Sequence, residues 1–366
     1  MKKILFIIYT YSLGGGAEAI LTNVVNHLNP SKYQIDILEY AQYGTKTEVI
    51  NKNIHRLSPI LSMTKENKVI RLVKNILVFT FPYIFKWNRG KYDLEISFNY
   101  LIPTFLLSNR SHSIAWIHGS IDDLNHRHYS RAIQRRALKH VDKIIAISKK
   151  TYDSIINTFP EFKSKVQIIY NGFNFSKIRE LCLLPNSIIV QQPAICFVGR
   201  LDANKNPLVL LDVVKLLFEK GHLVNVYFLG EGIQRAEIIT RAESYRVQEH
   251  VFILGYQNNP YPIMSQCRAI CMMSKSEGFP TVFAESMALG IPFVTTPVGG
   301  VIELSNHGQC GYIINSIEEC ADAIEELVFN TEKWKRMSSA CINHVQEFDL
   351  TKQIGKIESL IDETIK

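Results

Sequence analysis

Two glutamates in the second half of the chain could hold a sugar beside a phosphate. Glu277 lies in the loop 274–280, between an apolar run at 269–273 that predicts a buried strand and a helix predicted over 281–289. The first turn of that helix has backbone N–H groups without helical partners, at the positive end of its dipole, which favours a bound phosphate. Glu285 follows one turn into the helix. Because carboxylates accept hydrogen bonds from sugar hydroxyls, this arrangement indicates a nucleotide-sugar site.

Arg200 and Lys205 form a second candidate pair, at the two ends of a short loop that follows a strand predicted over 194–198. Asn206 is expected to cap the next helix, with Pro207 at its first position. Two fixed cations on the ligand edge of a sheet can neutralise the charge that develops on a diphosphate leaving group. The competing interpretation is a pair of solvated loop cations without a ligand.

A glycine loop in the first half is the third candidate. Gly14, Gly15 and Gly16 open a helix predicted over 17–28, and a glycine loop at a helix start can approach a diphosphate or a sugar closely. Five residues separate it from the strand predicted over 3–8, whereas the dinucleotide-binding fingerprint needs its first glycine at the strand end. A nicotinamide or flavin site is therefore not expected, and no cofactor is predicted.

His118 stands directly after a strand predicted over 112–117, at the carboxyl end where open α/β sheets bind their ligands. A single histidine often has only a structural role, but this position favours contact with a substrate. Asn99 and Tyr100 follow the strand predicted over 93–98 and are expected on the same rim. They are candidates for contact with an acceptor.

The charge of the chain is unevenly divided. The net charge is +7, but residues 1–172 carry 24 Lys and Arg against 12 Asp and Glu, while residues 173–366 carry 17 against 22. A basic first half suggests an anionic partner, either a membrane surface or a polyanion. The sequence contains no uncharged apolar run of about 18 residues, so no membrane-spanning helix is predicted. The seven cysteines lack metal-ligand spacing, which favours reduced thiols and a cytoplasmic location.

Apolar runs of strand length alternate with helical patterns along the chain, which predicts α/β layers with parallel sheets. We expect a first domain over 1–172 that binds the acceptor and a linker over 173–193. A second domain over 194–346 is expected to bind the nucleotide-sugar, and a C-terminal helix over 347–366 is expected to pack back on the first domain. Two doubly wound units would have a ligand cleft at their facing strand ends.

The stretch 69–87 mixes apolar residues with Arg71, Lys74 and Lys86, and Pro82 interrupts it. Two interpretations are open. An apolar helix flanked by cations can lie in a membrane interface, whereas a helix packed on the sheet would bury the same residues in the core. The basic charge of the first half favours peripheral contact with an anionic membrane, and no nucleic-acid partner is expected.

The residues around Glu277 resemble a known signature. The stretch SEGFPTVFAESMALGIP at 276–292 contains Glu277 and Glu285 at the spacing of the E-x7-E signature of retaining glycosyltransferase family 4, which has the GT-B fold. The resemblance covers nearly the whole chain and includes GRLDANKNP at 199–207. It implies two Rossmann-like parallel-sheet domains that face a central cleft. The pattern is similar to that of bacterial enzymes that extend lipid-linked oligosaccharides for capsule or O-antigen.

The resemblance implies a role for each candidate. Arg200 and Lys205 would neutralise the diphosphate, while Glu277 and His118 would orient the transferred sugar. Glu285 would hold the ribose. Donor contacts would come from Gly15, Gly16, Gly230, Tyr256, Gly278, Phe279, Pro280, Thr281 and Glu285.

The implied reaction moves a hexose or N-acetylhexosamine from a nucleoside diphosphate, UDP rather than GDP, to a glycan acceptor. The acceptor is expected to be lipid-linked, at the inner face of the cell membrane. A metal-bound diphosphate is not indicated, because no Asp-x-Asp stands at a strand end of the first half. The departing phosphate oxygen would deprotonate the acceptor hydroxyl on the same face of the sugar, with the protein supplying position and charge.

Three other functions share parts of this pattern. A UDP-sugar epimerase of the same fold would convert the donor without an acceptor. A non-catalytic partner subunit would bind a sugar nucleotide without turnover. A glycoside hydrolase would use Glu277 and Glu285 as its carboxyl pair but would have no use for the cationic loop.

Overall fold

The apolar runs of the chain form parallel strands in two separate main sheets. The structure is a computed structural model that describes residues 1–12, 15–44, 49–81, 85, 91–123 and 130–366. Unit 1 comprises Met1–Gly172 together with Leu350–Lys366, and unit 2 comprises Phe173–Asp349. The predicted class, α/β with two Rossmann-like parallel-sheet domains, is confirmed.

The main sheet of unit 1 is parallel throughout. The strands of unit 1 are β1 (Lys2–Ile8), β2 (Tyr33–Glu39), β3 (Ala41–Gln42), β4 (Ile54–Arg56), β5 (Leu61–Ser62), β6 (Leu94–Phe98), β7 (His112–Ile117), β8 (Lys143–Ala146) and β9 (Val166–Ile168). The main sheet has the order β4-β2-β1-β6-β7-β8-β9, and β3 pairs with β5 in a small separate sheet. Strands β1 and β7 read as apolar runs because a parallel sheet is buried on both faces, and Phe6 and Trp116 are indeed inaccessible to solvent.

Helices connect these strands, and serine or asparagine side chains cap several of them. The helices described in this part of unit 1 are α1 (Gly16–His27), α2 (Lys68–Thr80), α3 (Ile102–Phe105), α4 (Arg131–Leu138) and α5 (Lys149–Thr158). Ser148 caps α5, because its Oγ accepts a hydrogen bond from the Thr151 N–H at 3.2 Å. Of the stretch 69–87, residues 82–84, 86 and 87, including Pro82 and Lys86, lie outside the described residues.

Helix α2 turns its apolar side outward. Five of its apolar residues are between 45% and 69% exposed: Val69, Ile70, Leu72, Val73 and Ile76. Its polar side faces the rest of unit 1, where Lys74 Nζ donates to the Ile60 carbonyl at 2.8 Å and pairs with Glu66 at 2.6 Å. The alternative in which these apolar residues belong to the core is therefore wrong for α2, although Val78 is buried.

Unit 2 repeats the alternation of strands and helices. Its elements are α6 (Phe175–Cys182), β10 (Ala194–Val198), α7 (Pro207–Glu219), β11 (Asn225–Leu229), α8 (Arg235–Ser244), β12 (Val251–Gly255), α9 (Tyr261–Met264), β13 (Ala269–Met272), α10 (Thr281–Ala288), β14 (Phe293–Thr295), α11 (Val301–Ser305), β15 (Gly311–Ile313), α12 (Ile317–Phe329) and α13 (Thr331–His344). The sheet has the order β12-β11-β10-β13-β14-β15, and all its pairs are parallel.

The segment 173–193, expected to be a linker, contains helix α6 and belongs to unit 2. Asn174 caps this helix, because its Oδ1 accepts a hydrogen bond from the Lys177 N–H at 2.9 Å. Phe175 and Ile178 are buried, and Arg179 Nε donates to the Ala288 carbonyl at 3.1 Å.

The chain ends in a helix that returns to unit 1. Helix α14 (Leu350–Thr364) buries Ile357 and Ile361. Its carboxylates contact the part of unit 1 formed by residues 1–172: Glu358 accepts from the Asn29 N–H at 2.9 Å, and Glu363 pairs with Lys143 at 2.6 Å. The helix begins three residues later than the expected boundary at 347.

One cap prediction is wrong. Pro207 is the first residue of α7, as expected, but Asn206 makes no side-chain hydrogen bond to that helix among the described residues. Asn206 instead adopts a left-handed backbone conformation with φ of 54°, which Asn tolerates better than most residues. The tight turn before α7 therefore decides the conformation of Asn206.

Candidate functional site

Two of the predicted loops of unit 2 lie where the strand order of its sheet reverses. Strand β10 pairs with β11 on one side and with β13 on the other. Arg200 lies in the loop after β10, and Glu277 lies in the loop after β13. Ligands of open α/β sheets bind outside the carboxyl ends of the strands at such a reversal, so both loops lie where a ligand is expected.

Asp202 folds the loop after β10 into a fixed turn. Its Oδ1 accepts hydrogen bonds from the backbone N–H groups of Asn204 and Lys205, both at 3.0 Å. Asn204 joins this loop to the loop after β13, because its Nδ2 donates to the Ser276 carbonyl at 3.1 Å and its carbonyl accepts from the Lys275 N–H at 2.8 Å. Sequence reasoning missed both residues. The signal was the Asp-x-Asn pattern, since Asp side chains often bond backbone two residues further on.

Lys205 and Glu277, predicted from two separate loops, form an ion pair. Lys205 Nζ lies 2.6 Å from Glu277 Oε1, and their side chains are only 20% and 13% exposed. Charged hydrogen bonds are strong where solvent is largely excluded. Arg200 differs, because its side chain is 74% exposed and its Nε lies 3.3 Å from Asp202 Oδ2. The site therefore has an exposed guanidinium, that of Arg200, and an ammonium, that of Lys205, which is hydrogen-bonded to the Glu277 carboxylate.

The loop from Gly278 to Thr281 leads directly into α10. Pro280 is the N-cap residue, and its side chain makes no capping hydrogen bond to this helix. Its first N–H groups are therefore of the kind that can bind an anion. Gly299 packs against the start of the loop, where a Cβ would lie 2.5 Å from the Glu277 carbonyl oxygen. Sequence reasoning missed Gly299, for which the Val-Gly-Gly turn after β14 was the only signal.

Phe279 turns its side chain inward. It is 6% exposed, and its ring centroid lies 5.5 Å from that of Phe348. Gly300, with φ of +77°, leaves room for the ring, since a Cβ there would lie 2.6 Å from Phe279 Cδ2. A donor contact at Phe279 would therefore come from its backbone.

Glu285 lies in α10, where its carboxyl forms a hydrogen bond with the Thr281 side chain. Burial raises the pKa of Glu285 from 4.5 to about 7, and the Thr281 hydrogen bond opposes part of this shift. Tyr261 is close by, and burial together with the Glu285 charge raises the Tyr261 pKa above its usual value. A ligand that donates hydrogen bonds to Glu285 would favour its ionised form.

Three glycines lie at neighbouring strand ends with their backbones in contact. Gly230 has φ of +157°, and a Cβ there would lie 1.8 Å from the Gly199 carbonyl oxygen, so only glycine fits. The Gly230 N–H donates to the Gly255 carbonyl at 2.9 Å. Tyr256 follows Gly255 and is 65% exposed. Gly230 thus keeps the ends of β10 and β11 together, whether or not it also contacts a donor.

His118 follows β7 in unit 1 and packs among aromatic rings. Its ring centroid lies 4.2 Å from that of Phe98 and 5.8 Å from that of Trp116. Burial lowers the pKa of His118 from 6.5 to about 3, so the imidazole is neutral at physiological pH. Its Nε2 is shielded from solvent and has no hydrogen-bond partner within the described part of the chain. Buried polar atoms are nearly always paired, so this nitrogen is a candidate for a bond to a ligand.

Asn99 and Tyr100 follow β6 in unit 1. Asn99 has a left-handed backbone with φ of 103°, and its N–H donates to the Trp116 carbonyl at 3.2 Å. The Tyr100 hydroxyl donates to Gln134 Oε1 at 3.4 Å, and burial raises the Tyr100 pKa above its usual value. These contacts lie within unit 1, so the acceptor role of both residues stays a prediction.

Gly15 and Gly16 form the start of α1, after Leu13 and Gly14, which lie outside the described residues. Gly15 has an extended backbone, and a Cβ there would lie 2.8 Å from Glu18 Oε2. Glu18 is buried in the first turn, where a carboxylate interacts favourably with the helix dipole. Both glycines are exposed, as a contact with a ligand requires.

The two units contain the predicted residues in separate groups. Arg200, Lys205, Glu277 and Glu285 belong to unit 2, and His118 belongs to unit 1. Within the ranges that the structure describes, no group of three or more His, Cys, Asp or Glu side chains is arranged to hold a metal ion.

Both halves of the chain match known family models. Residues 185–344 match the model described as glycosyl transferases group 1, and residues 14–177 match the model described as Glycosyltransferase Family 4. A Campylobacter jejuni protein is 27% identical over 322 residues, which cover 84% of this chain and 85% of the relative. That relative is named N-acetylgalactosamine-N,N'-diacetylbacillosaminyl-diphospho-undecaprenol 4-alpha-N-acetylgalactosaminyltransferase.

Solved structures of glycosyltransferases share the fold. Anabaena HepE in complex with UDP superposes with a TM-score of 0.72 at 19% identity, over 99% of this chain and 100% of that chain. WaaG, a glycosyltransferase involved in lipopolysaccharide biosynthesis, superposes with a TM-score of 0.75 at 16% identity, over 98% of this chain and 99% of that chain. The predicted GT-B class is confirmed.

Proposed function

Because the chain belongs to the family 4 glycosyltransferases, we propose that it transfers a sugar from a nucleoside diphosphate to a lipid-linked glycan, with retention at the anomeric carbon. The proposed donor is a UDP-sugar rather than a GDP-sugar, and the transferred sugar is a hexose or an N-acetylhexosamine. The Campylobacter jejuni relative is named for a diphospho-undecaprenol acceptor, and the Anabaena structure contains UDP, which supports both choices.

One observation carries the proposal: two loops at the strand reversal of unit 2 combine cations with a carboxylate. Lys205 and Glu277 are joined at 2.6 Å, and Arg200 is exposed in the same loop as Lys205. A diphosphate needs the cations, and the attached sugar needs a hydrogen-bond acceptor. A site for a bare anion would not require Glu277.

Each residue then has a proposed role. Arg200 and Lys205 neutralise the diphosphate together with the backbone from Gly278 to Thr281, while Glu285 accepts hydrogen bonds from the ribose. Glu277 and His118 orient the transferred sugar. His118 acts as a neutral group, because a histidine with a pKa of about 3 offers a hydrogen bond and not a charge at physiological pH.

The proposed chemistry needs no nucleophile from the protein. The bond between the anomeric carbon and the diphosphate oxygen breaks, and the acceptor hydroxyl oxygen bonds to the same face of that carbon. Negative charge develops on the departing phosphate oxygen as this bond breaks, where Arg200 and Lys205 stabilise it, and that oxygen then takes the hydroxyl proton. Fixing donor and acceptor in contact supplies much of the remaining rate enhancement. We propose that this step is independent of a metal ion.

We also propose that the enzyme works at the cytoplasmic face of the cell membrane, in peripheral contact with anionic lipid through α2. Its exposed apolar residues, such as Leu72 at 61% and Ile76 at 54%, accompany Lys68 and Arg71 on a helix without acidic residues. An amphipathic helix of this composition binds at an anionic interface. Among the described residues, no helix is both long and apolar enough to cross a bilayer.

The proposal is tested by incubating the purified full-length protein with UDP-glucose, UDP-galactose, UDP-GlcNAc, UDP-GalNAc or GDP-mannose. Undecaprenyl-diphospho-N-acetylgalactosamine serves as the acceptor, and the products are analysed by mass spectrometry and NMR. An acceptor extended by one α-linked sugar, formed equally well in EDTA, is the expected result. A β-linkage would contradict retention.

The same products separate the other functions. An epimerised donor without an extended acceptor indicates the epimerase. In a separate incubation with simple glycosides in place of these substrates, release of free sugar indicates the hydrolase. Donor binding by calorimetry without any product indicates a non-catalytic partner subunit.

A further inference from the structure

Glu39, the last residue of β2, collects hydrogen bonds from three consecutive residues that follow β1. Its Oε1 accepts from the Tyr11 N–H at 2.7 Å, from the Ser12 N–H at 2.9 Å and from the Ser12 hydroxyl at 2.6 Å. The Thr10 hydroxyl donates to the same oxygen at 3.2 Å. Glu39 is only 4% exposed, so these bonds form in a setting where solvent competes little.

Further contacts fix the same three residues to their surroundings. The Arg56 guanidinium lies 3.6 Å from Glu39 Oε2 and 5.0 Å from the centroid of the Tyr11 ring. The Tyr11 hydroxyl is hydrogen-bonded at 2.5 Å to Thr22 Oγ1, which belongs to α1. Each of these contacts links the loop to a different element of unit 1.

Ser12 extends the network to the residues after β3. Its Oγ donates to Glu39 and accepts from the Tyr43 N–H at 2.9 Å, with the Gly44 N–H at 3.4 Å. The segment 10–12 is therefore held by contacts with β2, with α1 and with the backbone of residues 43–44. A loop that only connected β1 to α1 would not need so many hydrogen bonds.

A buried carboxylate is a costly way to hold a loop, because the charge must be removed from water. An apolar side chain at the end of β2 would bury more favourably, so the charge indicates a need for a fixed loop geometry. The loop stands at the carboxyl end of β1, which pairs with β2 on one side and β6 on the other. This strand reversal is where sheets of this kind bind ligands.

We propose that Glu39 is a positioning residue, which holds residues 10–12 so that the backbone of Gly15 and Gly16 meets the donor correctly. Glu39 does not itself touch the substrate. The inference deepens the proposed function and rests on it, since it assigns a purpose to the fixed loop before the glycines. Glu39→Gln keeps an oxygen for the three residues but removes the charge and turns an NH2 group toward Arg56.

The test measures Glu39→Gln and Ser12→Ala in the full chain, with Asp36→Asn as the matched control. Asp36 lies on the same strand and accepts a hydrogen bond from the Tyr92 hydroxyl at 2.6 Å. Glu39→Gln is expected to lower kcat/KM for the UDP-sugar that turns over by about 10- to 100-fold, with the acceptor KM of the folded variant unchanged. Faster hydrogen exchange of the amides in residues 10–19 is expected at the same time. Ser12→Ala should show a smaller loss of the same kind, and Asp36→Asn should show neither effect.

The two proposals fail in different ways. If the wild type transfers no sugar, the proposed function fails. Hydrogen exchange alone then tests the positioning role of Glu39. Exchange in residues 10–19 that is equal in Glu39→Gln and the wild type would overturn the positioning role, as would an unchanged kcat/KM in an active enzyme. A fall in Tm with no change in the donor kcat/KM of the folded variant would show that Glu39 serves stability only.

Discussion

Lys205 and Glu277 are 72 residues apart in the chain and share a 2.6 Å hydrogen bond between Nζ and Oε1. Lys205 is predicted to contact the diphosphate, and Glu277 is predicted to orient the sugar. The hydrogen bond between them therefore connects the two predicted parts of the donor site. A donor that binds here would share Lys205 between Glu277 and a phosphate oxygen. Arg200, at 74% exposure, can meet the diphosphate without breaking a buried contact.

Replacing either cation should remove transfer, with different effects on stability. Arg200→Ala is expected to lower kcat by about 100- to 1,000-fold at an unchanged Tm, because the side chain is exposed. Lys205→Ala should lower kcat similarly and cost about 1–3 kcal/mol of unfolding free energy, because it leaves Glu277 without its cation. Steady-state kinetics and urea unfolding measure both. Lys215→Ala, which removes an exposed cation of α7 paired with Glu219, is the control. Unchanged turnover of the Arg200/Lys205 double variant would refute the diphosphate assignment.

Donor binding should depend on pH through Glu285. The folded pKa of about 7 is above the ordinary 4.5, so the ionised form is disfavoured by folding, and this lowers the stability as pH rises from about 4.5 to 7. A ribose that donates hydrogen bonds favours the ionised form. UDP-GlcNAc, whose diphosphate does not titrate near neutrality, should therefore bind more tightly as pH rises from 6 to 8.

Calorimetry in two buffers of different ionisation enthalpy should detect release of a proton on binding below pH 7. Glu285→Gln should remove both the proton release and the pH dependence. An equal pH dependence in the wild type and in Glu285→Gln would contradict the ribose contact.

Gly230→Ala should disrupt unit 2 because the added Cβ would meet the Gly199 carbonyl oxygen at 1.8 Å. We expect a loss of about 3 kcal/mol or more in unfolding free energy, since neither backbone can move aside cheaply. Gly355→Ala is the matched control, because it lies in α14 with no atom within 4 Å of the new Cβ. That change should stabilise the chain by about 0.5–1 kcal/mol. Thermal unfolding measures both variants, and equal Tm values for the two would show that the strand ends tolerate a Cβ.

Membrane contact through α2 should depend on its exposed apolar residues. The double variant Leu72→Gln/Ile76→Gln is expected to reduce binding to vesicles of phosphatidylglycerol and phosphatidylcholine by about 10- to 100-fold, because less apolar surface leaves water. Co-sedimentation measures this. Ile302→Gln, at an equally exposed apolar residue of unit 2, should bind as the wild type does. Binding that responds to salt but not to the double variant would assign the contact to charge alone.

The sequence determined which residues follow strands, and this located most of the candidate site. Apolar runs of strand length predicted β10 and β13 correctly, so the sequence alone assigns Arg200 and Glu277 to strand ends. Parallel strands have their carboxyl ends at the same edge of the sheet. The loops after β10 and β13 are therefore expected to be neighbours. Local spacing suffices for this because it depends only on residues within one strand or helix.

Only the tertiary structure decided how those residues are paired and which faces are buried. Lys205 meets Glu277 and Glu39 meets the loop after β1 through contacts between segments far apart in the chain, and no local pattern encodes such a meeting. The same holds for the pKa of Glu285, which depends on burial by neighbouring elements, and for the outward apolar face of α2. Burial and pairing are properties of the assembled fold, whereas strand and helix periods are properties of the chain.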